Sequence, residues 1–201
     1  MDFHNLKFDP KTGRILSVAG TEHDLGNLNV LIGNWQSERP WETTISEDGL
    51  NLFAKSTWRG LTVELQIQAK PGPNAGYSIS MLATNRSTNP LPVRISLSPR
   101  LHVSDPAQTK LVHPIKTFDN AASLLHTIDH ENPQDQESSQ LSLEDPGFKR
   151  TLNMLYLGAD KLHILSDAKV FTASPSLDRV LAPGKSAALL TLIQEEIRQD
   201  S

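Results

Sequence analysis

Residues 61–101 read LTVELQIQAKPGPNAGYSISMLATNRSTNPLPVRISLSPRL, and their patterning decides the fold. Over residues 61–69 the apolar Leu61, Val63, Leu65, Ile67 and Ala69 alternate strictly with Thr62, Glu64, Gln66 and Gln68. A period of two sends successive side chains to opposite faces of a strand, so one face is buried and the other meets water. Pro71, Gly72, Pro73, Asn74, Ala75 and Gly76 form a turn cluster, and residues 77–84 pair most simply with the preceding strand as an antiparallel hairpin. Residues 85–90 make another turn, beyond which Val93, Ile95 and Leu97 alternate with Arg94, Ser96 and Ser98. Three strands with turn signals at this spacing predict an all-β antiparallel sandwich.

The same signals extend outward. Residues 6–18 hold Asp9, Pro10, Lys11, Thr12 and Gly13 between Leu6/Phe8 and Ile15/Leu16/Val18, a hairpin whose glycine supplies the positive φ. Residues 28–32 are a short apolar run that Gly33 ends, and 34–40 read as loop. Further strands are expected at 150–157, 162–166, 169–172 and 187–194, the last launched by the Ala182-Pro183-Gly184-Lys185 turn. Residues 118–129 break the rhythm: Leu124, Leu125 and Ile128 stand at helical spacing behind Asp119 or Asn120 as a cap, which predicts one short helix. Residues 131–145 contain five acidic and no basic side chains among Pro, Gln and Ser, a composition that predicts a mobile loop. The charged tail, 195–201, is expected to fray. No internal repeat divides the 201 residues, so a single sandwich domain over 1–201 is the expectation.

Composition excludes several functions. A net charge of −4 offers no basic field for nucleic acid. Cysteine is absent, which removes disulfides, thiolate metal sites and cysteine nucleophiles. No window approaches the roughly 18 apolar residues of a membrane span, and MDFHNLKFDP lacks the basic and apolar parts of a secretory signal. A soluble, cytoplasmic protein with no membrane partner is the expectation. The glycines form no phosphate loop and there is no G-x-S-x-G elbow, so no cofactor is expected.

Between residues 61 and 103 the order strand, Pro/Gly turn, strand, TNRSTNPLPV, strand, SPRL resembles the galactose mutarotase (aldose 1-epimerase) family and its sandwich superfamily. The resemblance implies a mutarotase-like supersandwich that binds a carbohydrate or sugar-like ligand. In that family a comparable N-x-S-x-x-P-L-P-V strand runs into a His-Pro-aromatic motif whose His is the general acid toward the ring oxygen. Here the motif reads Ser98-Pro99-Arg100-Leu101. The family's second catalytic group, a Glu acting as base on the anomeric hydroxyl, stands before a Pro ahead of a closing L-x-P-G-x turn. Here that stretch reads Ala173-Ser174-Pro175, followed by Leu181-Ala182-Pro183-Gly184. Mutarotation delivers one proton to the ring oxygen and removes another from the anomeric hydroxyl. A serine hydroxyl with no base to activate it does neither near neutral pH, so the resemblance implies the scaffold without the family's acid–base pair.

Two other readings stand beside this one. A divergent sugar epimerase or lyase would have moved its acid and base to His102, His113 or Glu64, although both histidines also read as surface or hydrogen-bonded loop residues. An immunoglobulin-like interaction module would use the 131–145 loop or an exposed edge strand to contact a protein partner. The ligand-binding candidates are Trp35, Arg39, Trp41, Trp58, Arg59 and Arg100, because aromatic faces stack on sugar C–H faces and guanidinium groups hydrogen-bond in pairs. The tryptophans equally suit a role as core plugs, with Trp41, after Pro40, the most exposed of them. His126 and His130 beside Asp129 have the i, i+4 spacing of a metal-binding helix face but no third ligand, so no metal site is expected.

Overall fold

Alternation in the sequence becomes burial in the structure. Leu61, Val63, Leu65, Ile67 and Ala69 are buried, while Glu64, Gln66 and Gln68 are exposed. The computed structural model describes residues 2–3, 6–9, 11, 14–19, 24–32, 41–70, 75–129, 139–167 and 170–198. Within them the strands are β1 (Asp2–Phe3), β2 (Leu6–Asp9), β3 (Arg14–Ala19), β4 (Asp24–Ile32), β5 (Glu42–Ile45), β6 (Asn51–Trp58), β7 (Leu61–Lys70), β8 (Gly76–Asn85) and β9 (Leu91–His102). They continue as β10 (Lys110–Val112), β11 (Thr117–Phe118), β12 (Leu125–Asp129), β13 (Gln140–Asp145), β14 (Arg150–Leu157), β15 (Lys161–Asp167), β16 (Val170–Leu181) and β17 (Ser186–Ile197).

Two antiparallel sheets result. The first runs β1-β2-β3-β4-β9-β16-β15-β12 and the second β11-β10-β13-β14-β17-β8-β7-β6-β5. Ile95, Leu97, Phe171 and Leu177 from the first meet Leu65, Ile67, Met81 and Leu189 from the second in one core, all but Leu65 with no exposed surface. Full burial of each such side chain contributes about 1.5–3 kcal/mol. The all-β sandwich is therefore as the patterning predicts, and the 6–18 hairpin is present as the antiparallel pair β2–β3. Among the described residues there is no helix long and apolar enough to cross a membrane.

Two of the chain's passages between the sheets run from β8 to β9 and from β16 to β17. Asn85, with no exposed surface, ties the two crossings together. Its Nδ2 donates to the carbonyls of Asn89 and Leu181, both at 2.8 Å, and its Oδ1 accepts from the Ser87 amide at 2.8 Å and the Ser87 hydroxyl at 2.7 Å. Its backbone N–H reaches the Lys185 carbonyl at 3.0 Å, and the Gly184 N–H returns to the Asn85 carbonyl at 2.8 Å. Turn residues at Asn85–Ser87 and Ala182–Lys185 are thus one hydrogen-bonded unit.

Gly60 explains how β7 reaches that unit. Trp58 pairs with Leu61 around a two-residue turn in which Arg59 and Gly60 both have positive φ, 43° and 82°. Such turns suit the right-handed twist of a hairpin. A Cβ on Gly60 would stand 2.6 Å from Cβ of Ser87, so glycine is required by contact as well as by conformation.

Three sequence expectations are corrected. Residues 118–129 form no helix: Ser123 has φ 57°, Asn120 Oδ1 accepts from the Ala122 N–H in a local turn at 2.7 Å, and β12 then pairs with β15. The cap residue is real, but it caps a turn, because β15 offers an open ladder. The acidic stretch ends in β13, where Leu141 and Leu143 are buried between Ser142 and Glu144; residues 131–138 lie outside the described residues. The tail does not fray at 195, since β17 runs to Ile197 and Glu195 is fully buried.

Glu195 is buried for a reason. Arg150, also without exposed surface, donates from Nη1 to Glu195 Oε1 at 3.0 Å and from Nη2 to the His102 carbonyl at 2.6 Å. One guanidinium therefore joins β14 and β17 of the second sheet to the end of β9 in the first.

Candidate ligand-binding face

β9 and β16 are neighbours at the middle of the first sheet, and each carries a proline in mid-strand, Pro99 and Pro175. A proline has no N–H to give to the ladder. Registered pairs run from His102–Val170 through Arg100–Thr172, stop, and resume at Ser96–Ser176 in the same register. Ser98 and Ser174 stand opposite one another in the gap. There a side-chain bond replaces the backbone pairing: the two Oγ atoms are 2.8 Å apart. Leu97, Leu101 and Ala173 beside them are buried, so the two hydroxyls point away from the core.

Register extends this pair into a row. Across β4, β9, β16, β15 and β12 it aligns Asn29, Ser98, Ser174, His163 and Thr127. His163 Nδ1 lies 3.1 Å from Thr127 Oγ1. One step along the strands, Arg100 stands opposite Thr172 and Asn27, exposed. The other Arg and Lys side chains on the outward face of β9, β16, β15 and β12 are paired: Arg94 Nε donates to Asp178 Oδ2 at 2.8 Å, and Lys161 Nζ is 3.3 Å from Asp129. Arg100 has no ion pair or hydrogen bond among the described residues, so its charge is available to a ligand.

Two hydroxyls, an imidazole and a free guanidinium in one patch make a set of donors and acceptors suited to a hydroxyl-rich molecule with a negative group. Neither serine is an acid or base of use near neutral pH. His163 is the one side chain of the row of a type that serves as a general acid or base.

The sequence candidates are distributed over several faces. His102 ends β9 on the same outward side as Ser98 and Arg100 and is exposed. His113 is buried beyond β10, with Nε2 2.9 Å from Tyr156 Oη and Nδ1 accepting from the Ile115 N–H at 3.2 Å. Burial pushes the Tyr156 phenol well above the usual tyrosine range. Glu64 lies on β7, outward on the other sheet, 3.4 Å from Lys55. These three do not come together. Trp41 is only 4% exposed and belongs to the core, the reverse of the expected exposure. Trp58 closes β6, and Arg59 sits exposed in the turn after it. Trp35 and Arg39 lie outside the described residues, as does His130.

His126 stands edge-on to the Phe118 ring at 5.4 Å, and Asp129 holds Lys161. Among the described residues no group of three His, Cys, Asp or Glu side chains is placed to hold a metal. His163 is the residue that sequence reasoning missed. The signal was there in KLHILSD, whose alternation turns His163 outward between buried Leu162 and Ile164.

No family model matches the chain, and no curated protein matches it. Solved structures do. The chain is similar to a galactose mutarotase-like protein from Lactobacillus casei ATCC 334, with 11% identity over 95% of this chain and 96% of that one and a TM-score of 0.71. It is similar to a galactose mutarotase related enzyme from Lactobacillus acidophilus, with 11% identity over 98% and 95% and a TM-score of 0.73. A GalM/aldose epimerase homologue from C. elegans matches at 10% identity over 96% and 88%, with a TM-score of 0.57. At these identities the likeness is one of fold: the galactose mutarotase-like sandwich.

Proposed function

From that fold and its outward serine row, we propose that the protein binds a carbohydrate, preferably one bearing an anionic group, across β9, β16 and β15, without the acid–base pair of the mutarotases. The observation that carries the proposal is the 2.8 Å hydrogen bond between Ser98 and Ser174. The resemblance puts the family's His at Ser98 and its Glu at Ala173 or Ser174, and the two serine side chains meet on the surface, 76 residues apart in sequence. Arg100 beside them supplies the anionic preference, as the one Arg or Lys on the outward face of β9, β16, β15 and β12 with no partner among the described residues.

Two-dimensional exchange and saturation-transfer NMR on a panel of aldoses and aldose phosphates tests this in one sample. Contact without anomer exchange above the buffer rate is the expected result. Exchange above that rate would overturn the loss of catalysis, and no contact with any sugar would overturn the binding.

One observation favours a second reading, a divergent epimerase: His163 stands directly opposite Ser174 in register. Exchange activity lost in His163→Ala, and unaffected in His113→Ala, would support it.

A further inference from the structure

The second sheet carries a hollow of its own, on the side of the sandwich away from the serine row. A cavity of about 590 Å³ lies on the outward face of β5, β6, β7 and β8. Register gives its layout as two rows. Glu42, Lys55, Glu64 and Leu82 cross the strands in one, and Thr44, Phe53, Gln66 and Ser80 in the next. All eight line the cavity.

Its chemistry is mixed in a specific way. Phe53 is 47% exposed and Leu82 38%, so a ring and an alkyl group face water inside a hollow rather than packing on the core. Lys55 Nζ lies 3.4 Å from Glu64 Oε1, and Glu42 stands opposite Lys55 on the edge strand. The three charges leave a net negative charge of one, which disfavours a phosphate or carboxylate ligand. The ammonium between the two carboxylates disfavours a cation, and no metal-binding group of three stands here among the described residues.

What fits is a neutral molecule with one apolar face and many hydroxyls. A pyranose ring offers its C–H face to Phe53 and its hydroxyls to the carboxylates of Glu42 and Glu64, to the Gln66 amide and to the Thr44 and Ser80 hydroxyls. The volume is that of a small-molecule site, roughly 300–1,000 Å³.

We propose that this hollow is a binding site for a neutral saccharide. It is separate from the serine row and does not rest on the function proposed for that face.

Titration calorimetry of the intact protein with cellohexaose, maltohexaose and xylohexaose tests the proposal. The expected result is binding of at least one hexasaccharide, weakened about tenfold or more in Phe53→Ala and in Glu64→Gln and kept in Phe53→Tyr. Both positions are exposed, and a thermal melt of each variant matching the parent separates lost binding from lost fold. Three results would overturn it: no binding of any of the three sugars, binding indifferent to Phe53→Ala, or a dimer in sedimentation that Phe53→Ala and Leu82→Lys dissociate. The last would assign the face to a second copy of the chain.

Discussion

Asn85 Nδ2 donates to the Leu181 carbonyl at 2.8 Å, joining residues 96 positions apart. Both amide hydrogens and the amide oxygen of this buried side chain are used, and its partners lie at the β8–β9 and β16–β17 crossings between the sheets.

Asn85→Ala leaves the Leu181 carbonyl and the Ser87 amide without their partner. A buried polar group so orphaned costs about 1–3 kcal/mol. Urea unfolding is expected to show a lower midpoint at an unchanged slope, the mark of a stability change in a two-state fold.

Ser98→His combined with Ser174→Glu installs an acid and a base where two hydroxyls now touch. The double variant is expected to interconvert anomers above the buffer rate, by on the order of 10²-fold, as general acid–base catalysis contributes. Each single variant should stay near the parent. A folded, sugar-binding double variant with no exchange would mean that the pair does not occupy the reacting positions.

Arg100→Ala removes the free guanidinium from the serine face. An aldose phosphate should bind about tenfold more weakly and the unphosphorylated aldose almost as before, because a charge-assisted contact is lost only for the anion. Raising salt should erase most of that difference for so exposed a charge. Calorimetry with both sugars at low and high salt reads it.

The Arg150–Glu195 pair has no exposed surface on either side chain. Glu195→Ala strands a buried guanidinium, and breaking such a pair costs about 3–5 kcal/mol. Replacing both residues with apolar side chains of similar volume should recover most of it, and denaturant midpoints of the single and double variants measure the difference.

Tyr156 couples stability to alkaline pH. Burial raises its folded pKa above the ordinary 10.0. A raised value means that the folded state keeps its proton longer, so the contribution is intact below pH 10 and is lost as pH climbs toward the folded value. Tyrosinate absorbance should show Tyr156, identified by comparison with Tyr156→Phe, resisting ionisation until the fold is lost, and Tyr156→Phe should flatten the fall in stability between pH 9 and 11 while removing the bond to His113.

Strands and turns were legible because their signals are local. The period of two over residues 61–69 and 93–97 and the Ala182–Lys185 turn each act within a few residues, and no distant partner changes what they favour. The same local reading failed at residues 118–129, where Leu124, Leu125 and Ile128 fit a helix face as well as a strand and the ladder of β15 made the choice. It failed again at residues 140–145, where an acidic average hid the alternation of Leu141 and Leu143.

By itself, then, the sequence determined an antiparallel β-sandwich and the absence of a histidine and a glutamate from two motifs. Only the tertiary structure decided that those two motifs face one another, that Asn85 binds their turns together, and that His163 joins the row. These depend on register between strands far apart in the chain. Register follows from burying one face of every strand at once, which no short segment encodes.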